Sequence, residues 1–153
     1  MAHKLERRDL LLFSSLIIIF LADQLTKLAA LSFLAMRDTT LLHGILTLNL
    51  TFNTGAGFSI LQGKQALLIA ISFAIVLLIL ATYRKFGEGS PFLFIAMGAL
   101  AGGALGNAID RIRLGYVIDF IDFQVWPVFN VADSAITVAG IFLAIYFWKK
   151  SNH

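Results

Sequence analysis

Residues 10–34 read LLLFSSLIIIFLADQLTKLAALSFL, an apolar run whose only charges are Asp23 and Lys27. A helix needs about 20 predominantly apolar residues to cross the roughly 30 Å hydrocarbon core of a bilayer, and this run is long enough. Three more runs follow at about 66–82, 91–109 and 132–148. The mean hydropathy is +0.86 and only 14% of residues are charged, against about a quarter in soluble domains. Residues 1–153 therefore read as one integral membrane domain, an all-α fold of four transmembrane helices. No repeat, low-complexity tract or linker divides it.

Charge orients the spans. Lys4, Arg7 and Arg8 precede the first, Arg84 and Lys85 follow the second, and Lys149 and Lys150 follow the fourth. By the positive-inside rule these ends face the cytoplasm, so both termini are expected there. Of the 12 cationic residues, seven fall on that side, against five for Lys27, Arg37, Lys64, Arg111 and Arg113. Clustering at helix ends accounts for the net charge of +3 without a nucleic-acid partner. The absence of cysteine excludes disulfides, thiolate nucleophiles and Cys-based metal sites. A cleavable signal peptide is the competing reading of the N-terminus, but the run continues past Asp23 to Leu34, longer than its apolar core.

Between the first two spans the pattern changes. From Leu46 to Asn53 the chain alternates Leu, Thr, Leu, Asn, Leu, Thr, Phe, Asn, the period-two signature of a strand with one apolar face. Turn residues Thr54-Gly55-Ala56-Gly57 follow, predicting a small outer-face β element over about 44–60, lying on the membrane. In the third span Gly98, Gly102, Gly103 and Gly106 recur at spacings that let helices pack closely in lipid, within one copy or between copies.

The acids carry the chemistry. At 1.5 Å per residue, Asp23 lies about 20 Å from Leu10, Asp110 about 28 Å from Pro91, and Asp133 about 22 Å from Trp148. All three reach the outer-leaflet half, and Asp119 and Asp122 fall in the connection at the same surface. Ionisable residues within spans are costly and usually face a bundle interior or a cavity, so convergence of Asp23, Asp110, Asp119 and Asp133 reads as a site. Two carboxylates sharing one proton, such as Asp119 and Asp133, suffice to activate water. Asp122 is expected to be a structural charge, and Lys27 stands at i+4 from Asp23 in the favourable order. Asp110 and Arg111 are adjacent and cannot face each other on a helix, so each needs a partner elsewhere. Asn53, Asn107 and Asn130 are amides suited to orienting carboxylates, and Asn130 is placed to cap the last helix. Phe120, Phe123, Trp126 and Phe129 recur every third residue and read as an interfacial belt that holds Asp119 at the depth of Asp133.

Five motifs, in order, then make the chain similar to the lipoprotein signal peptidases, the type II signal peptidases of bacteria, over essentially its whole length. Asp23-Gln24-Leu25-Thr26-Lys27 resembles the family's first-helix motif and Asn53-Thr54-Gly55-Ala56-Gly57-Phe58 its Asn-x-Gly-Ala element. Gly106-Asn107-Ala108-Ile109-Asp110-Arg111 resembles the third-helix motif. Val117-Ile118-Asp119-Phe120 and Phe129-Asn130-Val131-Ala132-Asp133-Ser134 resemble the two that carry the catalytic aspartates.

The resemblance implies an aspartic endopeptidase of the bacterial cytoplasmic (inner) membrane, with its site near the outer, periplasmic face. It would cut diacylglyceryl-modified prolipoproteins on the N-terminal side of the lipidated Cys. It implies Asp119 and Asp133 as the catalytic pair, with no metal and no cofactor. Asn53, Gly55, Asn107, Arg111, Asn130, Ala132 and Ser134 would line or support the substrate site, and Asp23, Lys27 and Asp110 would hold its framework. Membrane lipids are expected partners, the protein is expected to be a monomer, and an apolar groove between helices should bind acyl chains by burial. The rival reading is a small proton-coupled transporter, since intramembrane acids also build proton relays. Four spans are few for one, and the inner half of every span lacks acids. A purely structural subunit would leave the clustered amides and acids unexplained.

Overall fold

The computed structural model describes residues 5–35, 38–55, 61–86 and 90–152. Four long helices run through them: α1 (Arg7–Leu34), α2 (Gln65–Thr82), α3 (Pro91–Leu114) and α4 (Val131–Ser151). A 3-10 turn, Tyr83–Phe86, extends α2, and all four helices are long and apolar enough to cross a membrane. Three strands, β1 (Thr39–Leu42), β2 (Leu46–Asn53) and β3 (Val117–Asp122), form one antiparallel sheet in the order β1-β2-β3.

The third helix is the centre of the bundle. In its most apolar window 67% of residues are buried, against 17% to 22% in the others, and it packs on α1, α2 and α4. Its glycines make this possible. A side chain at Gly98 or Gly102 would strike the backbone of α1 at Leu12 or Leu16, and one at Gly103 the carbonyl of Ala132 on α4. The small-residue stripe is thus consumed inside the molecule, where lipid gives no hydrophobic drive and close van der Waals contact must serve instead.

Two ends differ in chemistry. At one, Asp9 is 1% exposed and accepts from Tyr83 Oη at 2.9 Å and Glu6 N at 3.0 Å, joining the start of α1 to the end of α2. Phe86 packs on Phe147 there, so the end of α4 lies beside them. At the other end, Leu48 and Leu50 of β2 pack with Phe120 of β3 against Ala30 and Leu34 of α1, the apolar face that the alternation predicted.

Several sequence expectations change. The span read as 91–109 continues to Leu114 and stops at Gly115, whose left-handed φ of 81° and N–H bond to the Arg111 carbonyl close the helix. Charged Arg111 and Arg113 had ended the apolar run but not the helix. The β element begins earlier than 44: β1 and β2 join through the turn at His43, Gly44 and Ile45. Residues 56–60, the rest of the expected turn, lie outside the described residues. A third strand stands where an aromatic belt was expected. Phe120 is buried behind the sheet, while Phe123 stacks on Phe129 at 5.8 Å as the chain folds back to bridge Ile121.

Candidate active site

The site begins at the N-terminus of α4. Asn130 caps the helix: its Oδ1 accepts from Asp133 N at 2.9 Å, while Asp133 Oδ2 accepts from Asn130 N at 3.3 Å. This reciprocal capping box satisfies two otherwise orphaned N–H groups. The bonds that start the helix also hold Asp133 in place.

Asp119 arrives from β3 and is 1% exposed. Its Oδ2 accepts from Asn53 Nδ2 at 2.9 Å and its Oδ1 from Asn130 Nδ2 at 2.7 Å. The ladder explains the first contact. Thr51 stands opposite Asp119 and Asn53 opposite Val117, so Asn53 is the diagonal neighbour of Asp119. An irregularity between Leu48 and Thr51 shifts the register, and Asn49 then meets Asp122 at 2.7 Å. Each Asn of β2 thus serves a different acid of β3.

Asn107 of α3 completes the ring. It donates to Asp133 Oδ1 at 2.7 Å and accepts from Lys27 Nζ at 3.0 Å and from Asn130 Nδ2 at 3.1 Å. Behind it, Lys27 is 2% exposed and lies 2.8 Å from Asp23 Oδ2 and 2.8 Å from Asp110 Oδ2. Gln24 donates to both of these acids, and Asp23 Oδ1 accepts the N–H of Ala132 at 3.0 Å. Buried charges persist only when paired and hydrogen-bonded, and this cluster meets both conditions. Arg111 turns away from its neighbour Asp110 to donate to Gly55 O at 2.6 Å and Asn107 O at 3.3 Å.

Asp119 and Asp133 open onto a cavity of about 680 Å³. Its far part is apolar, with Leu100 and Ala104 of α3 between Leu68 and Ile71 of α2 and Ile136 of α4; Trp126 and Phe129 line its near part. Burial, and then the charge of Asp133, push the Asp119 carboxyl up to about 7, against the pull of its two amide donors. One proton held between two carboxyl groups near neutral pH permits acid and base roles together. No three His, Cys, Asp or Glu side chains among the described residues converge as a set of metal ligands.

Asp23, Lys27, Asn53, Gly55, Asn107, Asp110, Arg111, Asp119, Asn130, Ala132 and Asp133 thus belong to one connected network. Ser134 joins it only through Asn130, its hydroxyl donating to that residue's carbonyl within the first turn. Asp122 is held locally by Asn49 and Gln124 and does not line the cavity. Gln24 was missed as a contributor, although it stands between Asp23 and the helix face of Lys27 in the first motif. Ser72 and Thr137, hydroxyls on the cavity wall, carried no signal in sequence.

The model of the family described as signal peptidase (SPase) II matches residues 15–149. A lipoprotein signal peptidase of Halothermothrix orenii is 37% identical over 89% of this chain and 94% of its own length. Another, of Syntrophomonas wolfei, is 42% identical over 87% and 89%. A solved structure described as a bacterial membrane enzyme, obtained by the in meso method at 2.3 Å, superposes with a TM-score of 0.82 at 30% identity, covering 90% of this chain and 87% of that one.

Proposed function

This chain belongs to the signal peptidase II family, aspartic peptidases that remove signal peptides from prolipoproteins, and we propose that Asp119 and Asp133 are its catalytic pair. The observation that carries this is Asn130, which bonds both carboxylates at the polar end of an apolar cavity. In the mechanism, the ionised carboxylate takes a proton from water as the water oxygen bonds to the scissile carbonyl carbon. The protonated partner gives its proton to the carbonyl oxygen. The resulting gem-diol then collapses: the C–N bond breaks, the amine leaves with a proton from the pair, and a new carboxyl group ends the signal peptide. Water supplies every atom added.

The substrate is a prolipoprotein whose Cys carries a diacylglyceryl group, cut on the N-terminal side of that Cys. A cavity with acids at one end and aliphatic side chains along the rest matches such a molecule, with peptide beside the dyad and acyl chains between α2 and α4. Arg111 and Asn53 support the peptide backbone at the polar end, and Gly55 brings its carbonyl to Arg111. The basic helix ends opposite the sheet support a cytoplasmic location for them, and with it a site at the outer face of the inner membrane. The protein acts as a monomer, since the glycines of α3 are already engaged internally.

A transporter finds no support. Its relatives are peptidases, and about 21 Å of α1 without an acid separates Asp9 from Asp23. The test is cleavage of a diacylglyceryl-modified prolipoprotein by purified Asp119→Asn and Asp133→Asn. Each should lose on the order of 10³-fold in kcat, while Asp122→Asn keeps most activity. Wild-type cleavage by either of the first two, folded in detergent, would refute the assignment.

A further inference from the structure

The three amides around the acids share a pattern: each has its carbonyl oxygen engaged by an N–H donor. Asn53 Oδ1 accepts from Gly55 N at 2.8 Å, Asn130 Oδ1 from Asp133 N at 2.9 Å, and Asn107 Oδ1 from Lys27 Nζ at 3.0 Å. An amide anchored at its oxygen has only its NH2 left for the other side. Those NH2 groups run to Asp119 from Asn53 and Asn130, and to Asp133 from Asn107. For Asn53 and Asn130 the anchor is a backbone N–H, which does not depend on the donor's side chain. For Asn107 it is an ammonium on a different helix.

Lys27 uses all three of its hydrogens: two on Asp23 and Asp110 at 2.8 Å each, and the third on Asn107. A buried ammonium must place its third donor on some acceptor, and the acceptor it has here is the side-chain amide oxygen that fixes the direction of the Asn107 NH2. Asn130 Nδ2 reaches the same Asn107 oxygen at 3.1 Å, but it also serves Asp119 at 2.7 Å and the Ile118 carbonyl at 3.3 Å. The charged donor is the stronger. Were Asn107 reversed, its carbonyl would face Asp133, a contact that only a protonated carboxyl accepts.

We propose that Lys27 is a positioning residue for hydrolysis: it locks the Asn107 amide with its NH2 toward Asp133, and so keeps Asp133 as the ionised, water-activating member of the pair. This rests on the reading of Asp119 and Asp133 as the dyad. The charged groups that surround Asp133 are Asp119 from β3, Asp110 and Arg111 from α3, and Asp23 and Lys27 from α1; α2 and β2 carry none. Of the two cations among them, Lys27 bonds the side-chain amide that donates to Asp133, whereas Arg111 reaches only the backbone carbonyl of Asn107.

The experiment compares pH profiles of kcat/KM on a diacylglyceryl-modified prolipoprotein. Lys27→Met alone strands two buried acids, so it is combined with Asp23→Asn, which removes one charge of each sign. The double variant should keep a KM close to wild type and move the acidic limb of its profile upward by about one pH unit, which is a loss of about tenfold on the acidic side of that limb, one unit being tenfold in the ionised fraction there. Asn107→Leu should show the same displacement, and adding it to the double variant should displace the limb no further. A wild-type limb in the double variant would mean that Lys27 only neutralises its acids, and additive displacements would mean that it does not act through Asn107; either overturns the proposal. Asn107→Leu, which leaves the Lys27 ion pairs intact, tests the link on which the proposal depends even if the double variant fails to fold: an unmoved limb there also overturns it. Failure of the dyad itself is distinguishable, because it shows as cleavage by Asp119→Asn or Asp133→Asn.

Discussion

Asp119 has two amide donors and still holds its proton to about pH 7, because burial and the nearby Asp133 outweigh them. The sign of this for stability follows from proton linkage. Its folded-state value lies above the ordinary value of a carboxylate, so the folded protein binds a proton that the unfolded chain has released. The favourable contribution is complete below the ordinary carboxylate range and is lost as pH rises through about 7. Replacing Asp119 by Asn removes that loss. Thermal unfolding in detergent should therefore show Asp119→Asn more stable than wild type at about pH 8, with the gap closing toward about pH 4. A gap that is constant with pH would mean that Asp119 is not held protonated by the fold. The same proton sets the alkaline side of activity, which should fall as the pair loses it near 7.

Helix α3 joins this residue chemistry to the architecture, because the face bearing Asn107, Asp110 and Arg111 is one turn and more above glycines that seat α1 and α4. Gly102→Leu should push α1 outward, since a side chain there meets the Leu16 carbonyl and Ile19. Overpacking of this kind costs about 1–3 kcal/mol, and because α1 carries Asp23 and Lys27, cleavage should fall together with the unfolding temperature. Gly140→Leu is the contrast: nothing lies within 4 Å of its missing side chain, so both readouts should stay near wild type. An equal loss in the two variants would remove the close-packing argument. How far such elements could be read beforehand depended on whether their cause was local. The four helices and the strand Leu46–Asn53 announce themselves through hydropathy and strict alternation. β3 does not, because Val117 to Asp122 reads apolar, apolar, acid twice over; it is a strand because β2 offers it an edge. The Asn53–Asp119 contact depends on that pairing and its register, which no local pattern encodes. The Asn130 cap, by contrast, was visible from its position just before an apolar run.

At the scale of the whole molecule, α3 floors a groove whose walls are α2 and α4, and the dyad closes one end. Burial from water cannot be the source of affinity for acyl chains here, although the family resemblance suggested it. A chain that leaves the bilayer for the groove exchanges one apolar surrounding for another, so the hydrophobic gain nearly cancels. On the proposed reading the groove acts by shape, fixing the depth and direction of the lipid anchor and so the position of the scissile bond, where a displacement of about 1 Å can cost about 100-fold. Ile71 tests this. It lines the cavity and is 44% exposed, so Ile71→Trp can narrow the groove without disturbing the core. The expected result is an unfolding temperature near wild type with kcat/KM reduced about 10- to 100-fold on a long-chain diacylglyceryl substrate. Shortening the acyl chains should restore much of the loss, because a short chain ends before the obstruction. Equal losses on long and short chains would instead place the acyl groups outside this groove, in the surrounding lipid, and leave the peptide contacts at Asn53 and Arg111 to position the bond by themselves.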